Sequence, residues 1–458
     1  EHYKFKSCIG GYERDGLNEA CVVAELEPMN NDIANDSQLS INKSNLTEYK
    51  AYYTYLIGFT NYGKDENANV YNAKTTDASI TVKKADELNK NGEHIVAFGS
   101  PYPVEVINAY DGHTGTITVT TETLEDSNHY IGLLTKNNAY NSYNANGTIK
   151  LTIVANWANI VGMLAFSDSN GTMYNAFGGK GNIYIETNSE RYDIFREIFI
   201  ASIGMGGYNV INAFNGGEGN IHIKSSGKSY GIASNSDGSS YYDNLGFVVN
   251  AYSTDGSKTI GTITIDSTDP HNVYEWKVGH GIGLEGGSVM YNADGAGAEG
   301  HIIINTSNSA VGIDGRESYY KNIANGANGG TGYIKIKNTE STYGYTFDWS
   351  GGTLKGMNNG YNAINGGTGY IDIEIDDTPP EDGIQNRAQA IGISGSGGNG
   401  FSDGSIGHIT ITDKGDNNTT GLYSTGEGLH NYYGSDIHIT SAAGKNSTVM
   451  GINALKAA

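Results

Sequence analysis

The chain has 458 residues, 65 of them glycine and 6 proline, and its apolar content of 37% is low for a globular protein. A net charge of −22 sets it against non-specific binding to nucleic acid or to anionic membranes. No apolar run reaches 18 residues, so no transmembrane helix is expected.

The N-terminal stretch EHYKFKSC lacks the apolar core of a secretory signal, which predicts a mature or trimmed chain. Cys8 and Cys21 are the only cysteines, with twelve residues between them. A Cys8–Cys21 disulfide is expected in an extracellular protein, with two unrelated thiols as the alternative. Residues 1–60, including EACVVAELEP, carry no repeat and are expected to cap a solenoid over 61–458.

From about residue 70 the chain repeats. The pattern G-x-I-x-I, with weaker relatives at 78 and 435, places its first apolar residue at Ile80, Ile117, Ile149, Ile183, Ile221, Ile263, Ile302, Ile334, Ile371, Ile409 and Ile437. The intervals run from 28 to 42 residues and average about 36. Four copies read like a calcium-binding nonapeptide: GGKGNIYIE, GGEGNIHIK, GGTGYIKIK and GGTGYIDIE. In each, the position of the ligand Asp is Ile, and the long period excludes a nine-residue calcium roll.

Two further patterns flank this strand. A Y-N-A motif precedes it, with Asn72, Asn108, Asn144, Asn175, Asn212, Asn250, Asn292, Asn325 and Asn362 as the expected column. A glycine-hydrophobic strand follows it, as in YIGLL at 130, IVGML at 160, GIGLE at 281 and YGYTF at 343. Each piece alternates with period two, and Gly, Asn, Asp and Ser fill the joints. Low hydrophobicity with high charge is a signature of disorder, but this regular spacing argues against it. Three strands per unit without intervening helices bury an apolar face only by coiling. The expectation is therefore all-β: a parallel β-helix (β-solenoid) of eleven or twelve rungs with three short strands per rung, about 50–60 Å long at ~4.8 Å per rung. Its expected core columns are the paired aliphatics of strand two, the Tyr/Ile/Val and Ala of Y-N-A, and apolar residues beside Gly in strand three. The G-G-x-G segment is expected to turn the corner into strand two.

Stacking in register makes outward columns. Glu186, Lys224 and Asp266 alternate in sign, and Lys335 and Lys337 face Asp372 and Glu374. Such cross-strand pairs fix register at about 0.2–1 kcal/mol each. His301, Tyr333, Tyr370 and His408 form one aromatic stripe, read as a platform for sugars or a partner surface, or as a self-stacking ladder on the wall. The Asn column has the same pair of readings, ligand row or amide ladder.

Signals for catalysis are weak. No G-x-S-x-G, Walker or dinucleotide motif stands out, and the many GxG strings are repeat turns. No metal or other cofactor is expected. The acidic run Asp372, Glu374, Asp376, Asp377 leaves loose Ca2+ binding as an alternative to a solvated turn. Long excursions at 187–200, 234–247, 267–280, 346–359 and 376–389 carry aromatic and basic residues, among them Trp276 and Arg387, and are candidate binding loops.

These Gly/Asn-rich, Pro-poor, Cys-poor YNA…GGxGxIxI repeats, over about 70–455, resemble the passenger region of bacterial autotransporters. The resemblance implies a secreted right-handed β-helix displayed at the bacterial cell surface. No barrel pattern is present in this sequence, so a passenger fragment is expected. The expected function is a non-enzymatic adhesin or interaction module, binding a host or bacterial cell-surface protein or glycan through His301, Tyr333, Tyr370, His408, Trp276 and Arg387. Nucleic acid and membrane insertion are not expected, and self-association is a further partner reading. The alternatives are a polysaccharide lyase or hydrolase on a parallel β-helix, and a self-assembling fibre or coat subunit.

Overall fold

The computed structural model describes residues 2–8, 24–29, 55–59, 67, 69–84, 94–100, 102–121, 125–166, 169, 171–188, 199–225, 227–234, 246–267, 280–306, 309–315, 322–338, 352–376, 388–401, 404–415, 417–427, 429–432, 434–442 and 447–456. Within them the chain is all-β, a parallel β-helix in which three strands per rung stack on their counterparts in the next rung. Alternation makes the strands. In Thr259–Ser267, TIGTITIDS, every second residue is buried and those between are partly exposed. The β-branched residues that fill these positions suit a pleated, half-buried surface.

The second strands form one column of eleven, from Ala78–Lys84 to Asp436–Ser441. Register is kept at the expected positions: Ile149, Ile183, Ile221, Ile263, Ile302, Ile334, Ile371, Ile409 and Ile437 are successive partners. Ile183, Ile221 and Ile263 are fully buried in one continuous core. The corner glycines Gly178, Gly216, Gly329 and Gly366 all have positive φ, between 66° and 84°. The G-G-x-G segment therefore turns the chain into strand two, and the Ile that follows enters the interior.

Glycine also shapes the core. In the third strands, Gly132, Gly162, Gly204, Gly231, Gly283, Gly312, Gly356, Gly392 and Gly421 stack, and a Cβ on any of them would overlap an Ile Cγ2 of the second-strand column and the carbonyl of the next glycine. The absent side chain is what lets the Ile column pack against that wall. Two of these glycines correct the expected third strands. Gly204 lies in Phe199–Gly206, a strand that begins at the end of the expected excursion at 187–200 and is not among the expected third strands. Gly356 lies in Thr353–Ile364, which runs from the third strand of one rung into the first strand of the next. That strand, not YGYTF at 343, continues the column, and YGYTF lies outside the described residues.

The Y-N-A face also differs from expectation. The residue before Tyr/Ile/Val joins the main core: Val106, Ala139, Met173, Val210, Val248, Met290 and Ile323. The Asn is buried inside, and the Tyr/Ile/Val position belongs to a separate apolar layer, with Val249, Tyr291 and Ala324 in one cluster. In rung three the ladder residue is Asn141; Asn144 sits in the turn with φ 48°. The side-chain amides of Asn72, Asn108, Asn141, Asn175, Asn212, Asn250, Asn292, Asn325, Asn362, Asn399 and Asn431 bond in an unbroken row at 2.8–3.0 Å. Each interior Nδ2 also reaches backbone carbonyls, as Asn250 does to Gly261 at 2.8 Å and His301 at 3.1 Å. A Cβ on the glycine of G-x-I-x-I would overlap the carbonyl of the ladder Asn, which explains why Gly181, Gly219, Gly332 and Gly369 recur there.

At the N-terminal side, His2–Cys8 and Ala24–Met29 form an antiparallel pair, the only one among the described residues, beside the strand Tyr55–Phe59. Tyr55–Phe59 already pairs in parallel with His94–Gly99, so coil pairing begins before residue 61. Cys21 and its expected bond to Cys8 lie outside the described residues.

Candidate functional site

The flat wall made by the second strands presents three outward positions per rung. Over rungs seven to ten the position before the first core Ile is His301, Tyr333, Tyr370 and His408, which are direct register partners. Their rings stack along the coil at centroid separations of 4.8, 4.9 and 4.8 Å and interplanar angles of 5°, 6° and 15°. These separations match the spacing of adjacent strands, so the ladder follows from placing planar side chains at one register position. Each inner ring has both faces turned to its neighbours, and the row offers mainly ring edges to solvent.

The next outward position, Ile303, Lys335, Asp372 and Thr410, forms the opposite side of a shallow groove of about 410 Å³. Tyr333 and Tyr370 make no hydrogen bond through their hydroxyls to another described residue, and neither does the half-buried carboxylate of Asp372. Burial pushes the Asp372 carboxyl above its ordinary range, with Lys335 pulling the other way. Burial also raises the Tyr333 phenol. At the two ends the imidazoles are held by carboxylates: His301 Nε2 lies 2.9 Å from Glu299 Oε1, and His408 Nδ1 lies 2.8 Å from Asp436 Oδ2.

The third outward position carries the charge alternation. Lys224 Nζ meets Glu186 at 2.9 Å, and Asp266 accepts from His222 at 2.9 Å and from Asn305 at 2.7 Å. Lys337 bridges Glu374 at 3.5 Å and Asp376 at 2.9 Å; Lys414 bridges the same two carboxylates. Glu374 and Asp376 thus have lysine partners where a calcium site would need them free. Among the described residues no group of three or more His, Cys, Asp or Glu is arranged for a metal. Asp377 lies outside them.

Of the expected binding residues, the structure brings His301, Tyr333, Tyr370 and His408 into one row. Trp276 and Arg387 lie outside the described residues. Asp372 and Lys335 were legible as a register pair; their position two residues beyond the rings is the signal that they share the groove.

A second aromatic row runs over the first-strand face of the earlier rungs. Tyr71, Tyr110, Tyr143, Phe177, Phe214 and Tyr252 are linked by centroid separations from 4.9 to 5.6 Å. Tyr140 and Tyr174 stack beside it at 5.1 Å. Both rows show that aromatic stacking is a general device of this coil. Beside the rung seven-to-ten row lie the groove and the Asp372 carboxylate.

No protein-family model, curated protein or solved structure matches the chain.

Proposed function

We propose that the chain is a non-enzymatic interaction module, secreted or displayed at a cell surface in the manner of an autotransporter passenger, which binds a surface ligand through the groove of rungs seven to ten. The observation that carries this reading is the His301–Tyr333–Tyr370–His408 row with its adjoining groove, where polar groups without partners sit on a rigid wall. A solenoid holds such a row in place because every rung is fixed by the rungs above and below. Acidic balance and scarce cysteine agree with a surface protein.

The test is binding of the labelled full chain to panels of host and bacterial cells, beside a Tyr333→Ala/Tyr370→Ala variant. Loss of binding in the variant, with its β-sheet spectrum retained, is the expected result. Equal binding by both proteins removes the groove from the account.

A glycoside hydrolase on the same wall is the second reading, favoured by the raised carboxyl of Asp372. Two-carboxylate hydrolysis needs a second acid, and the nearest on the strand, Glu374, is held by Lys337 and Lys414. Release of reducing ends from polysaccharides, abolished by Asp372→Asn, would establish that reading in place of the first.

A further inference from the structure

We propose that the groove takes a neutral polyhydroxyl chain, an uncharged or N-acetylated oligosaccharide, laid along the coil axis and held by hydrogen bonds from ring edges. This rests on the groove being the binding surface, as argued above. The geometry of the row decides the mode of contact. Sugar rings that stack on aromatic side chains need an open ring face, and here the faces of Tyr333 and Tyr370 are covered by their neighbours at 4.8–4.9 Å. What the two tyrosines offer is a hydroxyl each, able to donate and to accept. Asp372 adds acceptors with no hydrogen-bond partner among the described residues, and Lys335 adds donors beside it. A ligand that meets alternating donors and acceptors must itself do both, as sugar hydroxyls do.

The direction follows from the shape. The groove is two outward positions wide and four rungs long, so an elongated ligand lies parallel to the axis rather than along a strand. Charge selects against acidic glycans. His301 and His408 lie against Glu299 and Asp436, and Lys335 stands next to Asp372 at one register position without a direct ion pair. With an acid beside each base the groove carries no net positive charge for a sulfate or uronate, and a net charge of −22 opposes the approach of a polyanion.

The experiment is titration of the full chain with neutral oligosaccharides (glucan, galactan and chitin fragments), and with heparin and polygalacturonate fragments as the acidic arm. The decisive variant is Tyr333→Phe/Tyr370→Phe, which keeps the stacked rings and removes only the hydroxyls. Expected are binding in the neutral arm that is indifferent to salt, and affinity about tenfold weaker in the Phe variant. Unchanged affinity in the Phe variant overturns the edge-on mode. Binding confined to the acidic arm overturns the choice of ligand. If cell binding falls in the Tyr→Ala variant while no neutral glycan binds, the groove reading stands, its partner is a protein or an acidic glycan, and this inference fails. If cell binding is indifferent to the Tyr→Ala change, both fail.

Discussion

Asn250 shows how much of this architecture rests on single side chains. Its amide accepts from Asn212, donates to Asn292, and reaches two backbone carbonyls, all in the interior. Asn250→Ala leaves these groups buried without partners and should cost about 1–3 kcal/mol, read as a lowered urea midpoint. Gly283 is the complementary case. A methyl there meets Ile302 Cγ2 and the carbonyl of Gly312, so Gly283→Ala should destabilise by about 1–3 kcal/mol through overpacking. Ala is the better residue by strand propensity, and a stabilised variant would show that the glycine column is not set by close approach.

At the scale of one strand, the outward side chains titrate as well as pair. The hydrogen bond to Asp266 holds His222 above its usual pKa despite burial, and holds Asp266 below its own. The His222 contribution is present below its unfolded value near 6.5 and is lost as pH rises through the folded value. The Asp266 contribution is present above about 3.9 and is lost as pH falls through its lowered folded value. The stability difference between the native chain and His222→Gln should therefore be widest at mildly acidic pH and shrink toward neutral and alkaline pH. Both groups are partly exposed, so the difference should also fall with added salt. A flat difference across that range would remove the pair from the energetics.

The strand scale is also where the sequence was most and least legible. The Ile column could be placed because a two-residue period, repeated eleven times, leaves one face to bury. The Asn column was misplaced in one rung because YNSYNA offers two Tyr-Asn pairs. Only the distance to Gly147, whose carbonyl Asn141 reaches at 3.2 Å, tells them apart. The third strand of Gly356 is masked in the sequence because YGYTF mimics its pattern with a glycine twelve residues earlier, Gly344. The aromatic row was legible as a column, but whether the rings would face solvent or each other depends on side-chain torsions. The lack of a partner for the Asp372 carboxylate depends on neighbours 37 residues away, such as Lys335.

For the whole coil, stability is a sum over rungs and the interfaces between them. Deleting residues 183–220 removes one repeat and joins Asn182 to Ile221, reproducing the Asn220–Ile221 step of the next strand. That variant should keep its β-sheet spectrum and cooperative unfolding. Deleting 183–219 leaves one extra residue in the strand and turns its alternation onto the wrong face. It should unfold at lower urea or aggregate, and equal stability of the two deletions would contradict the register described above.

The interior amides carry one more implication. Every amide from Asn72 to Asn399 donates toward the higher-numbered rung, and Asn431 is the last acceptor. Aligned dipoles reinforce one another, so the amide row is electrically polar along its length. A rung added to the row prolongs it only in that same sense, so the amides give the stack a direction that the parallel strands alone share.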